Sequence, residues 1–490
     1  MSREFQINEI KLDVGEDVSV IPERIAERLG VDGTPWRVTR WEITRRSVDA
    51  RYKRRIRFVY AVRCEAERKD GTDDGIGGGC ESRPARGAVD PEKEGRANGR
   101  FDTRAESAYV IPSGLKEGVS PSFARSRPVV AGFGPCGIFA AYVLAKAGLR
   151  PIVLERGRPV EERRRHVAAF WTNGVLDEDS NVFFGEGGAG TFSDGKLTTG
   201  IGDPRKRFVT ETFANFGGGE DLLRASRPHL GTDVLCEVVR NLREAILDAG
   251  GDIRFGCKLA GIGTDRDGGL ATVVTERVYE ESGGSFDEIE TRRLVLAVGH
   301  SARDTMRILL SHGVAMEQKP FSVGIRVEHP QGLIDAGQYG RDFESIYGMN
   351  YRDAGLPPAE YKLSRRCADG RGVYTFCMCP GGRVIAAASE PGGVCTNGMS
   401  ERARDGIRAN SAILADVRPE DFGDAHPLAG FAFQRRIEQA AFAASGAGNG
   451  YVPIRETLDL FRSPESALAR CLPAFVVRDI IEAMPAFGRK

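Results

Sequence analysis

No Cys-x-x-Cys pair occurs in this chain, and only six of its 490 residues are histidine. Zinc and iron–sulfur centres need closely spaced thiolate or imidazole ligands, so no metal is expected. Ten cysteines are too few for a disulfide scaffold at this length. An excess of one charge is missing too. Lys plus Arg and Asp plus Glu each total 69, so neither nucleic acid nor an anionic membrane is expected as a partner. The start, MSREFQINEIKLDVGED, lacks an apolar h-region, which argues against a secretory signal. Reduced thiols without an export signal imply a cytoplasmic protein. One apolar run, Pro128 to Leu149, approaches the length of a membrane span and carries a single charge, Lys146. Gly132, Gly134, Pro135 and Gly137 break its first half, where a spanning helix needs continuous hydrogen bonding. Such breakers favour strand, turn, then helix.

The remaining pattern is that of an α/β protein in several parts. Residues 1–64 read as a small α+β domain: FQINEIKLDV as a strand, VIPERIAERLGV as a short helix, and two alternating runs as paired strands. Its basic stretch RRSVDARYKRR, 45–55, reads first as a solvated strand end and turn, and second as a polyanion surface. Residues 65–126 begin with a segment dense in Gly, Pro and charge and nearly without apolar anchors. That composition predicts a disordered insertion and linker. Residues 127–314 alternate strands and helices, with three strand-like runs, DIRFGCKLAGI, GLATVVTERVYEE and DEIETRRLVLAVG, predicted as an inserted β-meander. Residues 315–490 read as a mixed α/β substrate or cap domain. The fold class is α/β, centred on a Rossmann-like domain.

Gly132-x-Gly134-x-x-Gly137 follows a buried strand and opens a helix, where a dinucleotide-binding turn needs it. Gly132 permits the tight turn, Gly134 lets backbone approach a pyrophosphate, and Gly137 allows close helix–strand packing. The free N–H groups of the helix start then hold the diphosphate. Glu155 ends the next strand 18 residues after Gly137, as suits a carboxylate that binds an adenosine ribose. Pro135, the Ala-Ala-x-x-Leu-Ala-x-x-Gly helix and Glu155-Arg156-Gly157 resemble the flavoprotein version of this motif, with NAD as the runner-up. No second strand-borne Gly-x-Gly-x-x-Gly follows, since SGAGNG near 446 lacks a preceding strand. Cys136 at the helix start reads as a buried small residue in place of alanine.

A second glycine-rich stretch, SNVFFGEGGAGTFSDGKLTT, spans 180–199. Gly185, Gly187, Gly188 and Gly190 allow close backbone approach to a ligand. Thr191, Ser193, Asp194 and Lys196 offer polar groups, with Lys196 a candidate to stabilise charge on a reduced flavin. VLAVGHSARD, 295–304, delivers Gly299, His300 and Ser301 to the carboxyl edge of a sheet, and His300 is a candidate proton donor. Cys377 and Cys379 read first as two strand-borne thiols packing on one face and second as an electron relay. GGVCTNGMS, 392–400, reads as a polar turn shaping the same pocket.

With these residues on the page, the sequence resembles the uncharacterised FAD-dependent dehydrogenases of bacteria, of the NAD(P)/FAD-dependent oxidoreductase type. The resemblance rests on RRSVDARYKRRIRFVYAV, GFGPCGIFAAYVLAKAG, SNVFFGEGGAGTFSDGKL, LAVGHSARDT, KPFSVGIRVEHPQGLID and YTFCMCPGG. It implies that Gly132, Gly134, Gly137, Glu155 and Arg156 hold the ADP part of FAD. It also implies that Gly187, Gly188, Ala189, Gly190 and the residues on to Lys196 line the flavin side, and that Gly299 to Ser301 close over the cofactor. Family members end with a further glycine-rich strand–helix segment, whereas this sequence stops at Ala486-Phe487-Gly488-Arg489-Lys490. A shortened member with a less completely closed flavin site is therefore expected. The expected activity is a FAD-dependent oxidoreductase acting on a small-molecule substrate, with NAD(P)H as a transient electron donor. The alternatives are a non-catalytic nucleotide- or RNA-binding module and an NAD(P)-dependent dehydrogenase without flavin.

Overall fold

The computed structural model describes residues 2–28, 36–68, 109–113, 126–280, 284–445 and 451–489. The chain is a mixed α/β protein built around a parallel sheet. Most of the insertion expected over 65–126 lies outside the described residues. Residues 65–68, however, continue a regular strand.

At the amino end, β1 (Ser2–Asp13), α1 (Ile21–Arg28), β2 (Trp36–Asp49) and β3 (Arg57–Arg68) form an antiparallel sheet of order β1-β3-β2 with the helix against it. Alternation in IRFVYAVRCEA puts Phe58, Tyr60, Val62, Cys64 and Ala66 on the buried face. This core is completed from far along the chain, by Tyr339, Phe343, Leu356 and Ala359. Part of the basic run covers its edge: exposed Arg46 lies over the Phe58 ring, 4.3 Å from its centroid, and donates to the Gly355 carbonyl.

The parallel sheet has the order β10-β4-β5-β6. Its strands are β4 (Val129–Ala131), β5 (Ile152–Glu155), β6 (Asp252–Phe255) and β10 (Leu294–Leu296). β4 and β5 are wholly buried, as continuous apolar runs between helices should be. Helix α2 (Pro135–Lys146) follows β4, α3 (Val160–Asn173) follows β5, and α4 (Gly231–Asp248) leads into β6. Leu235, Val238, Val239, Leu242 and Ile246 form the buried stripe of α4 against α2. Each such side chain contributes about 1.5–3 kcal/mol when fully buried.

The meander is β7 (Cys257–Thr264), β8 (Leu270–Arg277) and β9 (Phe286–Glu290), in that order. Two of the predicted meander runs are each divided between sheets. Gly256, at φ +64°, turns the backbone between β6 of the parallel sheet and β7 of the meander. Residues 291–293 separate β9 from β10 in the same way. Helix α5 (Arg303–Ser311) follows β10.

The last part is an antiparallel sheet of order β11-β16-β13-β12. It comprises β11 (Phe321–Pro330), β12 (Ser364–Arg366), β13 (Gly372–Cys379) and β16 (Arg408–Val417). A hairpin of β14 (Arg383–Ala387) and β15 (Cys395–Met399) stands beside it. The stretch expected as a polar turn over 392–400 therefore contains a strand. Helices α6 (Gln331–Tyr339), α7 (Ala429–Ala444) and α8 (Ala474–Gly488) complete this part. No helix among the described residues is long and apolar enough to cross a membrane, and the apolar run from Pro128 becomes β4, a turn and α2.

Candidate functional site

In a parallel sheet of this order, the chain runs outward from β4 through β5 to β6 and then returns to β10 on the other side of β4. Ligands bind at such a switch point, outside the carboxyl ends of the strands. Gly132 follows β4 and Gly299 follows β10, so the two segments meet at that edge. A Cβ on Gly132 would lie 2.3 Å from the Ala297 carbonyl oxygen, and one on Gly137 would lie 1.9 Å from that of Gly132. These two glycines are required by packing alone. Gly134 differs. A Cβ there would meet only the Gly188 Cα, at an ordinary 3.6 Å, so protein packing gives no reason for glycine at 134. Gly134 is also the N-cap of α2 and supplies no side-chain cap, with Pro135 at the first position. The N–H groups of that first turn are thus left without a side-chain partner. A close-approaching anion explains both features, and the residues fit the diphosphate of a dinucleotide.

The second glycine loop lies directly against this turn. The Gly187 N–H donates to the Phe133 carbonyl at 2.9 Å, and a Cβ on Gly188 would fall 2.9 Å from the Gly134 Cα. Gly188 and Gly190 lie beside Pro135, Ala189 between them is half-buried, and Gly188–Phe192 forms a short 3-10 turn. Glu155 joins the two loops. Its Oε2 accepts from the Phe133 N–H at 2.7 Å, and its Oε1 accepts from the N–H groups of Gly157 and Gly185, both at 2.9 Å. Those three bonds leave one acceptor position of the carboxylate for a ribose hydroxyl. Arg156 pairs with Asp304 at 2.8 Å and stacks over Phe184. Cys136 is exposed rather than buried, so it does not act as a core residue.

The polar residues of the second loop have other partners than those expected. The Thr191 hydroxyl donates to the Glu186 carbonyl and the Ser193 hydroxyl to the Gly190 carbonyl, which closes the loop on itself. Asp194 is fully buried and accepts from Arg404, Lys196 and Ser400. Burial alone would raise its pKa, but Arg404 and Lys196 outweigh that and hold it down to about 2. Lys196, bonded also to the Met378 carbonyl, is directed to β13 instead of standing free at the loop. His300 stays partly open to solvent, edge-on to Phe183, with its Nε2 3.3 Å from the Ser301 hydroxyl. Desolvation of its ring and the neighbouring Arg303 hold its pKa below the ordinary imidazole value.

Three positioning groups had no signal in the sequence. Arg163, fully buried on α3, donates to the carbonyls of Asn181, Val182 and Glu186, and so pins the entry of the second loop. Its burial lowers its pKa to about 10. Glu186 is likewise buried, accepts from the Val160 N–H and from Arg243, and has one oxygen without a partner among the described residues. Burial raises it to about 7. Arg303 bonds Glu390 and Glu438 and so ties the Gly-His-Ser strand end to the last part of the chain. In the sequence Arg163 and Arg303 are ordinary charges of helices and Glu186 a charge within the glycine-rich loop; only the fold buries them.

A cavity of about 2020 Å³ opens next to these elements, lined by Arg326, His329, Tyr361, Cys377, Asn397 and Glu438 among others. Asn397 donates to the Phe192 carbonyl, which joins the cavity wall to the second glycine loop. No cluster of three metal-binding side chains is present among the described residues.

Residues 320–490 match the family described as FAD-dependent protein, C-terminal domain-like, and residues 1–65 match a domain of unknown function, DUF8436. A Clostridium beijerinckii protein, described only as uncharacterized, is 38% identical over 507 aligned positions, covering 99% of this chain and 86% of that one. The chain belongs to the family of that protein, and its C-terminal part to the FAD-dependent protein C-terminal domain family. Among solved structures, THI4 of Thermovibrio ammonificans matches at 16% identity and a TM-score of 0.28, over 40% of this chain and 66% of that one. The FAD complex of glycerol-3-phosphate dehydrogenase from Bacillus halodurans matches at 13% and 0.29, over 63% and 53%. These two likenesses are too low to carry an argument.

Proposed function

We propose that the chain is a FAD-dependent oxidoreductase that exchanges hydride with a small molecule bound in the large cavity. The observation that carries this reading is the contact of two glycine loops at a sheet switch point, where Gly134 has no packing reason to be glycine. The family match of the C-terminal part supports it.

The flavin supplies the capacity to take and return a hydride, a chemistry that side chains lack. The chain's residues bind and orient. The uncapped start of α2, with Gly134, Pro135 and Cys136, holds the diphosphate, and Gly188, Ala189 and Gly190 close on it from the other side. Glu155 offers its remaining acceptor position to the ribose, with Arg156 beside it. Gly299 and Ser301 border the same edge, and His300 is the group able to pass a proton at its Nε2. Lys196 acts through Asp194 and the Met378 carbonyl as a positioning residue. A nicotinamide nucleotide as transient electron donor is the partner this reading expects.

The test is an absorption spectrum of the purified chain after incubation with FAD and removal of the excess. A yellow protein that releases flavin on denaturation is expected, and Gly134→Val should lose that uptake while keeping its melting temperature. A colourless chain that takes up no FAD, or one whose melting temperature rises with NADH but not with FAD, overturns the proposal.

A further inference from the structure

Strand β13 ends in an irregularity that places two sulfurs together. Its pairing with β16 shifts register between Phe376 and Cys379, and Cys377 has φ +47°. A non-glycine residue rarely adopts that conformation unless its surroundings impose it. Here they do. Arg326 donates from both terminal nitrogens to the Cys377 carbonyl at 3.3 Å, and the Lys196 ammonium donates to the Met378 carbonyl. The two sulfurs stand 3.9 Å apart, and the Cys379 thiol also donates to the Cys377 carbonyl at 3.2 Å.

The two thiols are unequal. Cys377 is half-buried and lines the large cavity, whereas Cys379 is buried behind it. The hydrogen bond from Cys379, and then the nearby Lys196 and Arg326, bring Cys377 below the ordinary thiol value against the opposing effects of burial and Asp194. The same pairing pushes Cys379 up. A thiolate in front and a thiol behind is the arrangement thiol–disulfide exchange needs. The cavity wall adds a charge preference. Among the described residues eight Lys or Arg side chains line it against five carboxylates, Glu328, Asp342, Glu360, Glu438 and Glu456, of which Glu360 and Glu438 are paired with Arg227 and Arg303.

We propose that Cys377 and Cys379 form a redox-active dithiol that reduces small, carboxylate-bearing disulfides entering the cavity. The Cys377 thiolate attacks one sulfur of the substrate, whose S–S bond breaks, and the departing thiolate takes the proton of Cys379. The Cys379 thiolate then attacks the Cys377 sulfur and expels the second substrate thiolate, which is protonated from water. Two electrons pass from the cysteine pair to the substrate, leaving a Cys377–Cys379 disulfide and two free thiols. This half-reaction requires no flavin. A chain that takes up no FAD but oxidises at this pair would separate the two proposals.

The test treats the purified, reduced chain with oxidised glutathione and locates the products by peptide mass spectrometry. The expected product is an internal disulfide in the peptide holding Cys377 and Cys379. Cys379→Ser should stop at a mixed disulfide on Cys377, and Cys377→Ser should leave the peptide unreacted. Glutathione found on exposed Cys136 alone, with the pair still reduced, overturns the proposal. In the unmutated chain, alkylation of Cys377 by iodoacetamide should reach half its maximal rate below the ordinary thiol value, and Lys196→Met should move that midpoint upward. A midpoint at the ordinary thiol value of about 8.5 overturns it as well. Hydroxyethyl disulfide, which lacks carboxylates, should react several-fold more slowly than oxidised glutathione; equal rates overturn the charge preference.

Discussion

The glycine turn at 132–137 packs against one end of the second glycine-rich loop and the buried Asp194 cluster holds the other, and the two are assembled in different ways. The turn is made of backbone. Gly132 to Gly137, with Glu155 from the next strand, sit within 24 residues and owe their form to missing side chains and free N–H groups. The cluster is made of charge. Asp194 meets Arg404 and Ser400 across 210 and 206 residues, and Lys196 meets Met378 across 182. A backbone motif requires only a local order of residues, whereas a buried ion cluster requires the whole fold to bring its partners together before any of them is stable without water.

The largest test of this contrast is Asp194→Asn. It leaves Arg404 buried, and Lys196 half-buried, without their counter-charge, and a loss of about 3–5 kcal/mol in urea unfolding is expected. A loss below about 1 kcal/mol would mean that the cluster is no better than a surface pair. The same carboxylate predicts the acid limb of stability. Its folded pKa of about 2 lies below its unfolded value, so its contribution is complete above about pH 4 and is lost as the pH falls towards 2. The melting temperature of the parent should fall over that window, and that of Asp194→Asn should fall less.

The glycine turn gives the next effect. Gly137→Ala forces a methyl group onto the Gly132 carbonyl and should cost about 1–3 kcal/mol. Gly134→Ala gives the smallest, within about 0.5 kcal/mol, because its Cβ meets only ordinary contact. FAD titration followed by fluorescence should nonetheless weaken for Gly134→Ala. If Gly134→Ala destabilises the chain as much as Gly137→Ala, the glycine at 134 serves packing rather than a ligand.

Legibility in the sequence followed the same division. The strand–turn–helix–strand unit from 128 to 157 could be read because its signals, an apolar run, spaced glycines and a terminal acid, are local. The meander was only partly legible: DIRFGCKLAGI is one apolar run, and nothing in its period tells that Gly256 sends its two halves to different sheets. Thr191, Ser193 and Asp194 were read as ligand-facing because hydroxyls and carboxylates beside glycines suit a cofactor, yet they close the loop and anchor it to the C-terminal part. Arg163 could not be singled out within EERRRH, since burial alone separates it from its neighbours.

By itself, the sequence determined the parallel α/β core, the glycine turn after its first strand and the apolar faces of its helices. Those depend on hydrophobic period and on glycine geometry, which act over a few residues. The tertiary structure alone decided which charges are buried, where Lys196 points, and that Cys377 faces a cavity while Cys379 stands behind it. Those outcomes depend on desolvation and on contacts between segments nearly two hundred residues apart, which no local pattern encodes.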